Sequence, residues 1–329
     1  MGTPGRRQLA MSRASGYAPG MMHGDANAGG PVRVPRTGGR RGRAATLLKW
    51  AALIGFVSCG NLTCSREKKE SIERLNAGVD FAKARNFPAA ARELEAAITL
   101  DPTNHEAAFA LGQVYADDKK WDKAIDAFSQ AAKHNPDDAM YRYRLGQAYF
   151  ETDKIDPAQR ELEAALKLNP RLFRAHWYMG RILKKREKYK DAAMAFSEAA
   201  RLNPRFGKPF VDLGKLYYQW DYFQEAVSVL GQGAQNARDA EDLTNIYYYL
   251  GMAYDGMKQY KQAADAYVKA IDARKENVEA RLMAGMAFAN AGDKENAKKY
   301  LTDFKKVGGG NNPFNIAAAT DRLQKLDSE

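Results

Sequence analysis

One spacing constrains this chain more than anything else in it: glycine recurs every 34 residues. Gly78, Gly112, Gly146, Gly180 and Gly214 stand in register, and after three extra residues Gly251 and Gly285 continue it. Twelve residues past each glycine is an alanine: Ala90, Ala124, Ala158, Ala192, Ala226, Ala263 and Ala297. Four further on is a large apolar residue: Leu94, Phe128, Leu162, Phe196, Leu230, Tyr267 and Leu301. A fixed period of this length marks one supersecondary unit that cannot bury its apolar face alone and must stack on copies of itself. Pro-free runs rich in Ala, Leu, Lys and Glu make that unit helical. The small residues let two antiparallel helices approach closely. The large ones are expected to come from neighbouring units and fill the space between hairpins.

Proline supplies the punctuation. Asp101-Pro102, Asn135-Pro136, Asn169-Pro170 and Asn203-Pro204 end a second helix in four units, because proline drives the residue before it out of the helical region. Pro88 and Pro157 fall in the first turn of a second helix, where a missing N–H does no harm. Period and offsets together resemble the tetratricopeptide repeat over residues 71–311. That resemblance implies an all-α fold, a right-handed superhelix (an α-solenoid) of about seven helix-turn-helix repeats. The units are 71–104, 105–138, 139–172, 173–206, 207–243, 244–277 and 278–311. A glycine joint then leads to a C-terminal capping helix at 312–329, with Ile316, Ala319, Leu323 and Leu326 on one face to cover the last apolar surface.

The N-terminal part is different in kind. Residues 1–43 are rich in Gly, Pro, Arg and Ala and have too little apolar surface to offset ordering entropy, so they read as a disordered basic leader. Arg40, Arg41 and Arg43 precede a short apolar run, Trp50 to Val57, and then Ser58-Cys59-Gly60. This is the order of a signal peptide over residues 44–60. A membrane anchor is the alternative, although Lys49 interrupts any run near the ~20 residues that span a bilayer. A mitochondrial presequence shares the Arg-rich composition but lacks its amphipathic pattern. Phe56-Val57-Ser58-Cys59 resembles the lipobox of bacterial lipoproteins, with Phe56 where that family prefers Leu. The resemblance makes Cys59 the lipidated first residue, and several acyl chains hold a protein stably to a membrane where one does not. Residues 61–70 then read as a solvated tether.

Charge and chemistry narrow the function. The chain has 51 basic and 40 acidic residues, but nine of the basic ones and a single acid, Asp25, fall within residues 1–64. The remainder carries a net charge of only +3, which gives no broad phosphate-binding field and argues against nucleic acid. Cys59 and Cys64 are the only cysteines, and His23, His105, His134 and His176 are scattered, so neither a disulfide framework nor a metal site is expected. About 18 residues follow Asn311, too few for a catalytic domain. No phosphate loop or nucleophile elbow is present. The expectation is a non-enzyme with no cofactor and no small-molecule substrate.

In the tetratricopeptide family the first helix of each unit lines a concave groove through positions 2, 5, 6, 9, 12 and 13. Carried onto the middle units, those positions select Tyr143, Arg144 and Gln147, then Arg174, Trp177, Tyr178, Arg181 and Lys184, and finally Lys215, Tyr218 and Tyr248. Such a groove is aromatic and basic at its centre and suits a partner segment with acidic and apolar residues. Packing competes for the rings, since apolar stripes at helical spacing are usually core. One subgroup grips chaperone tails with Lys at position 5 and Asn at position 9. Position 5 here runs Leu75, Phe109, Tyr143, Trp177, Val211, Tyr248, Leu282, so that clamp is absent. The whole resembles bacterial tetratricopeptide lipoproteins such as the pilotins of type IV pili. It implies a non-catalytic, lipid-anchored scaffold assisting assembly of a cell-envelope complex, at the outer membrane facing the periplasm or anchored to the inner membrane. A signal-anchored or secreted adaptor unrelated to pili is the alternative.

Overall fold

The computed structural model describes residues 57–307 and 312–328, with side chains from residue 66 onward. The leader at 1–43, the apolar run through residue 56 and the joint at 308–311 lie outside the described residues. Fifteen helices and no strand occur among the described residues. The first hairpin pairs α1 (Val57–Lys83) with α2 (Phe87–Leu100), and the second pairs α3 (His105–Asp117) with α4 (Trp121–His134). Next come α5 (Ala139–Glu151) with α6 (Ile155–Leu168) and α7 (Phe173–Lys185) with α8 (Tyr189–Leu202). Then follow α9 (Lys208–Gln219) with α10 (Phe223–Asn236), α11 (Ala240–Gly256) with α12 (Tyr260–Ala273), and α13 (Val278–Asn290) with α14 (Lys294–Val307). A single helix, α15 (Pro313–Ser328), closes the array.

The glycine register is a set of direct contacts. A Cβ on Gly78 would meet Leu94, on Gly112 Phe128, on Gly146 Leu162, and on Gly180 Phe196, in each case at under 3 Å. Gly214, Gly251 and Gly285 face Leu230, Tyr267 and Leu301 in the same way. The large residue sixteen positions on therefore fills the space over its own glycine. It was expected to bridge neighbouring units, and the structure corrects this: the pair is internal to each hairpin. These large residues are essentially free of solvent.

Each first helix ends in a turn that composition did not announce. Arg85, Lys119, Asp153, Glu187, Asp221 and Lys258 have φ between 57° and 60°, and Gly292 has 81°. The next residue but none further donates its N–H five positions back, as in Lys120 to Tyr115 (2.8 Å) and Lys188 to Leu183 (2.9 Å). This is a left-handed helix end of the Schellman type, normally built on glycine. Six of the seven use a side-chain-bearing residue instead. Second helices end as proline requires: Asn135, Asn169 and Asn203 each turn extended or nearly so while donating to Ala131, Ala165 and Ala199. Asn86, Asn104, Asp138 and Asn277 cap the N-termini of α2, α3, α5 and α13, each satisfying backbone donors that a helix leaves open.

Two boundaries differ from the sequence reading. Residues 61–70, expected as a tether, belong to α1. Arg66 to Glu70 are strong helix formers with no Pro or Gly among them, and Glu70 pairs with Arg74 one turn on at 3.7 Å. The residues at 66–69 remain exposed. Packing begins at Ser71, whose Oγ donates to Ala97 O at 2.8 Å. The three extra residues near 240 form no loop. They lengthen α11 to 17 residues, against 13 for α3, α5, α7 and α13, close to one additional turn. Asp239 caps that turn through the Glu241 and Asp242 N–H groups, both 3.0 Å away. Buried Asp242 reaches back one unit and accepts from Gly207 N–H at 3.1 Å, closing the start of α9. Gly207 tolerates this because a Cβ there would lie 2.5 Å from Asp242 Cβ. In α15, Ala319 and Leu326 are buried against a cluster containing Leu282, Leu301 and Phe304, while Ile316 and Leu323 stay partly exposed.

Candidate functional site

First helices of successive units lie side by side, as the α1–α3, α5–α7 and α9–α11 contacts show. Their shared face carries the sequence-selected residues, and the structure divides those residues into two groups. Tyr143, Trp177 and Tyr178 are buried in one core cluster with Phe150, Ile182 and Phe196. Packing wins at these positions because helical spacing that points a ring toward the face also points it between adjacent first helices. Tyr178 Oη donates to Glu151 at 3.1 Å, and Trp177 Nε1 donates to Asp212 at 2.7 Å. Burial raises the pKa of both the Tyr143 and Tyr178 hydroxyls.

The cations lie on this aromatic floor. The Arg181 guanidinium carbon is 4.4 Å from the Phe150 ring centroid, 4.8 Å from Trp177 and 5.4 Å from Tyr178. Its Nη1 is also 3.7 Å from Glu151. Arg181 is thus packed on three rings and beside a carboxylate. Lys208 Nζ lies 5.5 Å over Trp177, and Lys215 Nζ lies 4.5 Å over Tyr249. Arg174 covers Phe173 at 4.7 Å and Phe206 at 5.7 Å. Arg144 lies 5.6 Å over Tyr143 and donates to Gln147 at 3.0 Å. Each ring face attracts a cation by roughly 0.5–2 kcal/mol, and it holds the charge in place without neutralising it.

Between α7, α9 and α11 the face opens into a cleft of about 300 Å³. Trp177, Arg181, Lys208 and Val211 form one part of its lining. Asp212, Glu241, Asp242 and Asn245 form the rest. Asp212 and Asn245 occupy positions 6 and 2 of their units, so the same positional count reaches them. Lys184 and Tyr218 sit on the same face, outside the cleft. Tyr248 packs edge-on against Tyr249 and Tyr267 at 5.5 and 5.8 Å, and burial pushes its hydroxyl up to about 12. Asp255 accepts from the buried Tyr267 Oη at 2.9 Å. Cys59 falls in the first turn of α1, ahead of the described side chains. Among the described residues no helix is long and apolar enough to cross a membrane, and no group of His, Cys, Asp or Glu could hold a metal ion.

Comparison with known proteins agrees with this architecture. Two family descriptions, both of the tetratricopeptide repeat, match the chain: one at residues 75–139 and 248–303, the other at 115–179. A solved structure from a functional characterisation of Pseudomonas aeruginosa pilF is similar at 18% identity and a TM-score of 0.54. The match covers 68% of this chain and 96% of that one. A tetratricopeptide repeat protein from Parabacteroides merdae is similar at 16% identity and a TM-score of 0.53, over 79% of this chain and 100% of that one. These likenesses concern the fold. No curated protein matches in sequence.

Proposed function

We propose, for a chain that is a tetratricopeptide repeat protein, that the first-helix face seats an acidic, partly apolar segment of a partner protein and that Cys59 holds the array at a cell-envelope membrane. The tetratricopeptide fold supports a protein–protein interaction scaffold. Binding of an acidic segment is supported by the cleft between α7, α9 and α11, where Arg181 and Lys208 flank the Trp177 ring. Aromatic and Arg side chains in a desolvated recess are the usual energetic centres of interfaces. The envelope reading is supported by the order of basic flank, apolar run and Ser58-Cys59-Gly60, and it gives the scaffold a pilotin-like task in assembling an envelope complex.

Trp177 and Arg181 are embedded in packing, so the sharper probes are the exposed Arg174 and Lys208. A crosslinking pull-down from membranes compares the native chain with Arg174→Glu/Lys208→Glu. The variant is expected to lose the partners that the native chain retains; recovery of an identical set by both defeats the groove reading. Mass spectrometry of the mature N-terminus tests the anchor separately. An acylated Cys59 is expected, and an intact leader rules it out.

A further inference from the structure

Two charged groups on the first-helix face contain a buried atom with no hydrogen-bond partner, and their signs are opposite. Among the described residues Arg144 Nε on α5 has no acceptor, and Asp255 Oδ1 on α11 has no donor. Both atoms are shut off from solvent, so they mark where the face's own hydrogen bonding is incomplete, and a partner meets these side chains at their other polar atoms and through their charge. Their surroundings match their signs. Toward α5 and α7 stand Arg174 and Lys184, both on this face and neither in an ion pair among the described residues; Glu151, an acid at that end, is already held by Tyr178 and Arg181. Toward α11 and α13 stand Glu241 and Glu279, both exposed. Glu279 is close enough to raise the Tyr248 hydroxyl. The Tyr218 and Tyr248 hydroxyls lie within electrostatic reach of Tyr267, the residue bonded to Asp255. A carboxylate among tyrosine rings is the combination that accepts an ammonium or guanidinium group.

We propose that the partner segment is bipolar: a carboxylate bound by Arg144 and Arg174 beside Tyr143 at one end, and a Lys or Arg bound by Asp255 among Tyr218 and Tyr248 at the other. This rests on the reading that the face binds a protein segment. The geometry sets the spacing between the two charges. Neighbouring helices pack ~8–10 Å apart, so the three steps from α5 to α11 cover ~25–30 Å. An extended chain advances ~3.3–3.6 Å per residue, which places the acid and the base about eight residues apart. The cleft midway, with Val211 and Trp177 in its lining, takes an apolar side chain between them.

The test is selection from a displayed library of random peptides, about 16 residues long so that the spacing fits in either direction, on the full chain in detergent. Peptides enriched by the native protein are expected to pair an acid with a base about eight residues away. Asp255→Asn is expected to lower the enrichment of the base about tenfold or more while leaving the acid, as befits loss of one interfacial charge pair. Arg144→Gln/Arg174→Gln is expected to do the reverse. Matched circular dichroism and melting curves show that each variant is folded. Enriched peptides with acids alone, or unchanged preferences in both variants, overturn the bipolar proposal and leave groove binding standing. Peptides that bind Arg174→Glu/Lys208→Glu as well as the native chain, or no enrichment at all, overturn the groove reading itself.

Discussion

Gly180 and Gly231 both lie inside helices, and they differ in what surrounds them. In Gly180→Ala the new methyl would lie 2.5 Å from Phe196 Cε1, 2.6 Å from Cδ1 and 3.0 Å from Cζ. Carbon atoms rest at about 3.5–4.0 Å, so the ring must withdraw by roughly 1 Å. Phe196 is 0% exposed and has no solvent side to yield toward. Over-packing of this kind costs about 1–3 kcal/mol, and better helix propensity returns about 1 kcal/mol. The net is a destabilisation of roughly 0–2 kcal/mol. In Gly231→Ala nothing lies within 4 Å of the methyl, so the ~1 kcal/mol propensity gain is kept whole. The two variants should therefore separate by about 1–3 kcal/mol. Urea unfolding followed by circular dichroism measures the difference. Hydrogen exchange at the amides of α8 and α10 assigns it, because units of an array can open separately. If Gly180→Ala gains as much as Gly231→Ala, the glycine register is not a packing constraint and the argument for the fold's interior fails.

Lys119→Gly should raise stability by up to ~1 kcal/mol by relieving a left-handed residue, whereas Gly292→Ala should lower it by about the same amount; urea midpoints decide both. Asp242→Ala removes the acceptor for Gly207 N–H and should cost about 1 kcal/mol, the worth of a helix cap. Its signature is faster exchange of amides at the start of α9, and unchanged exchange there contradicts the capping role. Burial raises the Asp255 carboxyl above its ordinary value, with the Tyr267 hydroxyl pulling the other way. A raised carboxyl pKa means that the folded state holds the proton more tightly than the unfolded chain. The group's contribution is thus fully present in acid and is lost as pH climbs from about 4 through the raised value. Asp255→Asn should therefore gain on the native chain over that interval, and a pH-independent difference between the two would refute it.

The fold was legible because its interior is written at fixed offsets. Gly112 and Phe128, or Gly285 and Leu301, are sixteen residues apart in sequence and touch in space, so counting found the contact even though its assignment to neighbouring units was mistaken. The hairpin turns were not legible. Left-handed φ normally leaves a glycine in the sequence, and here Arg85, Asp153 and Glu187 take it because the helix end on each side over-determines the turn. At the site, position along the helix assigns residues to the first-helix face but does not give their depth. Tyr143, Arg144 and Arg174 are equally well selected by spacing, yet Tyr143 is buried while Arg174 is exposed. That distinction depends on how closely α5 and α7 approach, which no single helix encodes. Arg181 shows the same limit: its three rings come from two helices.

The long α11 has a consequence for how the chain finds its structure. An array of near-identical hairpins has an ambiguity that ordinary domains lack: a hairpin docked one unit out of place meets almost the same surface, and such misassembly is a known failure of repeat proteins. Breaking the translational symmetry is the way to penalise those alternatives. Here the extra turn of α11 breaks the symmetry inside the array, and Asp242 fits only a neighbour whose first helix starts with a residue lacking a Cβ. The other units place Ser71, His105, Ala139, Phe173, Thr244 and Val278 where the fifth has Gly207. Asp242 therefore acts as a key cut for one lock, and it fixes which hairpin is fifth and which is sixth.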